Sequence, residues 1–367
     1  MSQFLVSLTK SRSNLRYLIH YFATKYHSIK SGYWHGFPQG LFVDVSSYCN
    51  LSCRMCPYLK VHEHPKHMTI DTFTNILPIV KIIPNICFIG NGEPLMNKSL
   101  ITFMQTALET NPTLKIDLTT NGTLLIDSLC KDFIRIKLNK IVFSIDGANA
   151  ETVESIRSGV NFTRVIENVC LLHELKKEKQ AHFPIITANH VVAYGNYAHL
   201  PDFVRLADQI GINEIHLLEL QSASSNDYRD NFLNSMLKDG GKILKEVIEL
   251  SKGKGIKLDL PIMHEDTCHD LCVPRISEEG EVFPCCYYSN DREIYSDGKV
   301  VRFPTLSFGN VNKNGFKFIW NSRRYRELRR SCATGQFNKF CSACYKARIG
   351  TSLKLKEVLH EINSECP

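Results

Sequence analysis

The sequence predicts an α/β fold followed by a small cysteine-rich unit, and three observations carry that expectation. Between about residues 40 and 220, short apolar runs alternate with longer amphipathic ones, the pattern of parallel strands joined by crossover helices. Cys49, Cys53 and Cys56 crowd together just after the first of those runs. From about residue 256 the texture changes: cysteines cluster, glycine and aromatic residues become more frequent, and the apolar runs shorten.

The elements follow in order. Residues 1–38 read as a basic, aromatic, helical extension, with Asn14-Leu-Arg-Tyr-Leu-Ile-His-Tyr-Phe-Ala23 at its centre. Lys10, Arg12, Arg16, Lys25 and Lys30 lie here with no Asp or Glu. Two placements suit it: across one end of the α/β unit, or as a peripheral contact on an anionic membrane surface. The expected strands are Leu41–Val45, Ile86–Ile89, Lys115–Leu118, Lys140–Ile145, Ile185–Val192 and Glu214–Leu218, with helices between them. One helix shows its register plainly. Leu200, Phe203, Val204, Ala207 and Ile210 keep one face, and Gly211 can end it in a left-handed cap. In such an architecture the active site lies at the C-terminal ends of the strands. Residues 39–220 therefore form the main domain, 221–255 a linker with a helix, and 256–367 the cysteine-rich domain. Within the last, Cys272 to Cys286 reads as a hairpin turning at Gly280.

Bulk composition narrows the function classes. A hydrophobic content of 43% and a charged content of 22% over 367 residues allow a sizeable core. The net charge of +7 comes largely from the N-terminal extension, so no nucleic-acid footprint is expected. The N-terminus has no long apolar segment of the signal-peptide kind, and no apolar run is long enough to span a membrane. A cytoplasmic protein is expected, in which 14 cysteines point to metal binding rather than disulfides.

The spacing C-x3-C-x2-C can hold three irons of a cubane and leave the fourth open to chemistry. Placed after a first strand, it resembles the radical S-adenosylmethionine (radical SAM) family. That resemblance implies a partial (β/α)6 barrel and a 4Fe-4S cluster whose open iron is chelated by S-adenosyl-L-methionine. It extends to later strand ends. Gly90-Asn-Gly-Glu-Pro94 looks like the family's Gly-Gly-Glu-Pro segment, implying that Gly92 and Glu93 line the methionine amino group. Thr119-Thr-Asn121-Gly and Ser144-Ile-Asp146-Gly occupy the next two strand ends. They are similar to family segments that face the cofactor, so Asn121, Ser144 and Asp146 are candidates, the last two for the ribose hydroxyls or the carboxylate region. Arg157 is implied as a partner of the methionine carboxylate, against a solvated surface arginine as the plain alternative. Tyr58, just past Cys56, is a candidate for the adenine. Glu219, ending the sixth strand, is a candidate substrate contact or proton acceptor. His190 reads as a core residue rather than a catalytic one, and Cys87, Cys130 and Cys170 as small buried hydrophobes.

Cys268, Cys272, Cys285, Cys286, Cys332, Cys341 and Cys344 form a second set. It resembles the SPASM and twitch extensions that bind auxiliary 4Fe-4S clusters. Gly350 stands where a full SPASM pattern has its next cysteine, which implies one auxiliary cluster, held by Cys272, Cys285, Cys341 and Cys344. Cys268 could replace Cys272, and Cys286 could replace Cys285. Two cysteine pairs would also suit tetrahedral zinc. The resemblance implies an oxidoreductase or epimerase fed by a flavodoxin- or ferredoxin-like electron donor. Its substrate would be a small polar molecule such as a sugar or cyclitol. Two alternatives remain: a maturase of ribosomally made peptides, and a non-catalytic iron–sulfur or zinc-binding module.

Overall fold

The computed structural model describes residues 38–56, 64–193, 195–220, 232–261, 268, 273–296 and 299–364. The N-terminal extension before residue 38, Tyr58 and Cys272 lie outside these residues.

Nine strands form one sheet. The first six strands expected from the sequence are present: β1 (Leu41–Asp44), β3 (Asn85–Ile89), β4 (Lys115–Thr120), β5 (Lys140–Ser144), β7 (Ile185–Val192) and β8 (Glu214–Glu219). They lie side by side in chain order, all parallel. Two short strands leave the sheet to pair with each other. They are β2 (Ser52–Cys53) and β6 (Arg157–Ser158).

Alternation along each strand sorts its residues between two faces. Ile86 and Phe88 of β3 are buried outward, where Phe88 meets Phe73 and Phe73 stacks on Phe103 of the helix Leu100–Thr110. The same outward rule buries Leu118, Ile141, Phe143, Ile186 and Ala188. The intervening inward residues, among them Cys87, Thr119, Ser144, Asn189 and His216, are half-buried. The helices thus cover an apolar outer face and leave a polar inner one.

The cysteine-rich segment is built into the same sheet. β9 (Lys257–Asp259) pairs parallel with β8, and β10 (Arg275–Ile276) pairs parallel with β1. β11 (Val282–Phe283) folds back on β10 through Gly280, whose φ of +86° suits glycine. The sheet order is β11-β10-β1-β3-β4-β5-β7-β8-β9, an open array rather than a closed ring among the described residues. A separate hairpin, β12 (Arg292–Ser296) and β13 (Lys299–Phe303), precedes the helices Arg323–Ala333 and Lys339–Ser364. Among the described residues no helix is long and apolar enough to cross a membrane.

Candidate functional site

The loop carrying the first three cysteines is pinned at its root. Ser47 exchanges hydrogen bonds with the Lys66 backbone through both its amide and its hydroxyl, and the Met68 amide donates to the Val45 carbonyl at 2.9 Å. Cys49 is exposed, while Cys53 and Cys56 are half-buried. Cys53 lies in β2, opposite Arg157 of β6, and the Cys56 amide donates to the Cys53 carbonyl at 3.0 Å. Burial pushes the Cys49 thiol up, and Cys53 up to about 11, against the pull of the Arg157 guanidinium. A thiolate here needs a positive partner to offset its lost hydration.

The two glycines after β3 serve that loop directly. A methyl group on Gly92 would meet the Tyr48 carbonyl oxygen at 2.1 Å, and one on Gly90 would meet the Ser46 carbonyl oxygen at 2.8 Å. The backbone before Cys49 therefore rests on the turn after β3, where only hydrogen fits. The Glu93 amide donates to the Tyr48 carbonyl at 2.7 Å and locks this contact. The Glu93 carboxylate is buried and turned toward β4. Its oxygens accept from Leu95 N, from Thr120 Oγ1 at 2.6 Å and from Asn121 N at 2.8 Å. Burial raises its pKa, and the three donors oppose the rise. Asn121 in turn donates to Asn50 Oδ1 at 3.0 Å, and Asn50 donates to Thr123 Oγ1 at 2.8 Å. The ends of β1, β3 and β4 are thereby joined in one polar lattice beside Cys49. Asn50 was not among the expected residues; adjacency to the first cysteine was the one sequence signal for it.

Asp146, a candidate for the ribose hydroxyls or the carboxylate region, makes its bonds within the chain. It is fully buried, its Oδ1 accepts from Val191 N at 2.8 Å, and its Oδ2 lies 2.7 Å from Arg157 Nε. Both oxygens have partners within the chain, and through one of them Asp146 holds Arg157, the candidate partner of the methionine carboxylate. Arg157 is correspondingly not a solvated surface residue: it lies between Asp146 and Cys53, with Nη1 4.0 Å from the Cys53 sulfur. Ser144 ends β5, half-buried and inward, in register with Asn189.

Farther round the sheet, Glu219 ends β8 opposite Val192, half-buried at the C-terminal edge. His190 faces outward, 4.5 Å from the Phe203 ring, as a core residue would. Burial lowers it to about 4 despite the nearby Asp146 carboxylate. Cys87, expected to be buried in the core, instead points inward, 3.9 Å from Thr119 Oγ1. Its strand position places it on the odd, inner register. The inner face also carries groups that periodicity did not single out. His216 Nδ1 lies 3.1 Å from Asn189 Oδ1, Lys140 Nζ 2.5 Å from Glu214 Oε2, and Asn139 donates to Asp117 Oδ1 at 2.6 Å.

The second cysteine set comes together in a small core of its own. Cys285 and Cys332 are buried there with Tyr287, Tyr288, Phe303 and Leu328, and Cys268, Cys286, Cys341 and Cys344 pack against them. The Tyr288 hydroxyl lies 3.5 Å from the Cys341 sulfur. Asn338 caps the helix Lys339–Ser364 by accepting from the Phe340 and Cys341 amides.

The sequence profile of the radical SAM superfamily matches residues 43–207, and that of an iron-sulfur cluster-binding domain, SPASM, matches residues 273–345. This chain belongs to the radical SAM superfamily. Among curated relatives it is 28% identical over 302 residues to a tungsten-containing aldehyde ferredoxin oxidoreductase cofactor-modifying protein of Pyrococcus furiosus. That alignment covers 79% of this chain and 82% of the relative. An AdoMet-dependent heme synthase of Methanosarcina barkeri is 24% identical over 342 residues, covering 84% and 91%. The crystal structure of Streptococcus suis SuiB bound to its precursor peptide SuiA matches with a TM-score of 0.64 at 17% identity. It covers 88% of this chain and 73% of that one, and so shows a shared fold.

A radical SAM protein carries a 4Fe-4S cluster and S-adenosylmethionine, and a SPASM domain adds auxiliary iron–sulfur binding. The donor chemistry of the residues present suits both. Three thiols on one loop are soft donors suited to iron, and the glycine contact that seats the loop leaves Cys49 exposed at the strand ends. The second core gathers further thiols among aromatic rings, with Cys285 and Cys332 buried and the others half-buried.

Proposed function

We propose that this chain oxidises a small polar molecule at an unactivated C–H bond. Bound here, the reduced cluster with S-adenosylmethionine supplies a 5′-deoxyadenosyl radical for hydrogen abstraction, and the auxiliary cluster a place for the electron that oxidation releases. In this reading Cys49, Cys53 and Cys56 are the ligands of the first cluster. The backbone at Gly92, set by its contact with Tyr48, and the Asn121–Asn50 pair hold the cofactor's amino-acid end. Arg157, oriented by Asp146, offers its guanidinium to the cofactor carboxylate, and Ser144 offers a hydroxyl to the ribose. Glu219, at the C-terminal edge of β8, takes the substrate proton.

The single observation that carries the substrate class is the inward row Ser144, Asn189 and His216, which share one register across β5, β7 and β8. Below it lie the charged pair Lys140–Glu214 and Asp117 with Asn139. Of these, Ser144 at the C-terminal end of β5 is placed to meet a ligand, and a hydroxyl there suits one rich in hydroxyl or amino groups. A sugar or cyclitol has that character, and oxidation rather than epimerisation uses the auxiliary cluster. The names of the two sequence relatives, both concerned with cofactors, also favour a small molecule.

A second reading, a peptide maturase, is favoured by the likeness to SuiB with its precursor peptide bound. The test is anaerobic. The reconstituted protein with dithionite and S-adenosylmethionine is given deuterated sugars and cyclitols in one series and short peptides in another. Deuterium in 5′-deoxyadenosine from the first series alone supports the proposal, and from the second alone replaces it with the maturase. No 5′-deoxyadenosine at all would leave a non-catalytic iron–sulfur module.

A further inference from the structure

Arg275 of β10 is 4% exposed, an uncommon place for a guanidinium. Phe42 and Arg275 are register partners, and the Phe42 amide donates to the Pro274 carbonyl at 3.0 Å. The backbone therefore already joins β10 to β1. The Arg275 side chain adds two bonds to the fully buried Asp44 carboxylate, from Nε at 2.6 Å and from Nη2 at 2.7 Å. Nη2 also donates to Asn91 Oδ1 at 2.5 Å. That last bond is not needed to dock β10; it reaches the turn after β3. Gly90 and Gly92 have no side chains and rest on the Ser46 and Tyr48 carbonyls. Asn91, between them, offers the one side chain by which those three residues can be held from outside. Glu93 anchors the far end, through its amide to Tyr48 and through its carboxylate to Thr120 and Asn121.

We propose that Arg275 is a positioning residue for S-adenosylmethionine: through Asn91 it holds the backbone of residues 90–93 in the shape that receives the cofactor's amino-acid end. The guanidinium suits this task because its donors form a rigid planar fork. Asp44 fixes the fork at two points, which sets the direction in which Nη2 meets Asn91. A lysine in its place neutralises Asp44 but does not span both partners in one fixed geometry. Asn91 is 8% exposed, so water replaces a lost partner there poorly. The cysteine-rich segment thus shapes the cofactor site without touching the cofactor. A cofactor that meets a turn already held does not have to order it on binding. The inference rests on the reading that the Gly92 turn receives the cofactor.

The test uses the full reconstituted chain under anaerobic conditions, with single variants beside the parent. Arg275→Lys keeps a charge beside Asp44, and Asn91→Ala removes only the acceptor. Asn75→Ala breaks a different bond between the barrel and the cysteine-rich unit, from Asn75 Nδ2 to Asn312 Oδ1 at 3.0 Å. Three quantities are measured: iron content, S-adenosylmethionine affinity by calorimetry, and amide deuterium exchange over residues 88–96 before the cofactor is added. Iron content should match the parent throughout. Arg275→Lys and Asn91→Ala should weaken S-adenosylmethionine binding about tenfold, the scale of one hydrogen bond to a charged group, and quicken exchange at residues 90–93. Asn75→Ala should change neither. Lower stability in the first two variants with parent-like exchange and affinity would make Arg275 a clamp on β1 alone and overturn the proposal. Equal weakening by Asn75→Ala would overturn it as well, by showing a general effect of loosening the two units. Asn121→Ala tests the underlying reading separately: if affinity does not move there, the cofactor site itself is misplaced and the proposal falls with it. If Arg275→Lys does not fold, Asn91→Ala decides.

Discussion

At position 92 a methyl group determines whether the cysteine loop can close on the barrel. Gly92→Ala sets a carbon 2.1 Å from a backbone oxygen that no rotamer change can move. Overpacking of this kind costs about 1–3 kcal/mol, and the displaced segment runs straight into Cys49. The variant is expected to lose most of the three-cysteine cluster, seen as about four fewer irons per chain, and with it 5′-deoxyadenosine formation. Gly195→Ala makes the contrast. Its φ is +84° with open space around it, so it should cost about 1–2 kcal/mol in strain and leave iron content unchanged. Equal iron loss in both would show that the contact with Tyr48 is not what matters. His190 gives a pH dependence. The unfolded chain takes up this proton near its ordinary value, whereas the folded chain holds it off until about 4. The unfolded state therefore binds more protons in that interval, and stability falls as pH falls through it. Across the window from about pH 6.5 down to about 4 the loss approaches roughly 3 kcal/mol as an upper bound. His190→Leu should flatten the urea midpoint over that range; a slope as steep as that of the parent protein would refute the assignment.

Among the elements, β10 has a role that its two residues conceal. Arg275 of β10 makes two bonds to the buried Asp44 carboxylate at the end of β1, at 2.6 and 2.7 Å, and reaches Asn91 Oδ1 at 2.5 Å. The residue that interrupts the Gly-Gly-Glu-Pro resemblance is thus a hydrogen-bond acceptor for the SPASM segment. One guanidinium ties the first strand and the Gly92 turn to the cysteine-rich unit. Removing one partner of a buried pair costs about 3–5 kcal/mol. Asp44→Asn and Arg275→Met should each lower stability on that scale, while the double variant should lose much less than the sum. Strict additivity in denaturant unfolding would refute the coupling. Asn91→Ala, which removes a single acceptor, should cost about 1–3 kcal/mol.

For the molecule as a whole, one sheet carries the polar inner face, with β10 and β11 on one flank and β9 on the other, while the second cysteine group lies beyond β11 in a core of its own. The reconstituted wild-type protein should hold about eight irons per chain if one cube occupies each group. Serine at Cys49, Cys53 and Cys56 together should halve that count and abolish cleavage of S-adenosylmethionine. Cleavage persisting in that variant would place the chemistry elsewhere in the chain.

Local order determined much of this. Period-two apolar runs and their spacing located all six main strands within one or two residues, since outward residues must be apolar wherever helices cover them. The first cysteine loop and the strand-end motifs were legible because their ligands and turns lie close together in sequence. What the tertiary structure decided depends on residues distant in the chain. Asp146 turns toward Arg157 because β6 crosses to pair with β2 beneath it. β9 and β10 leave the cysteine-rich segment to extend the barrel sheet. No periodicity encodes such meetings; they arise where burial leaves a charge only one kind of partner.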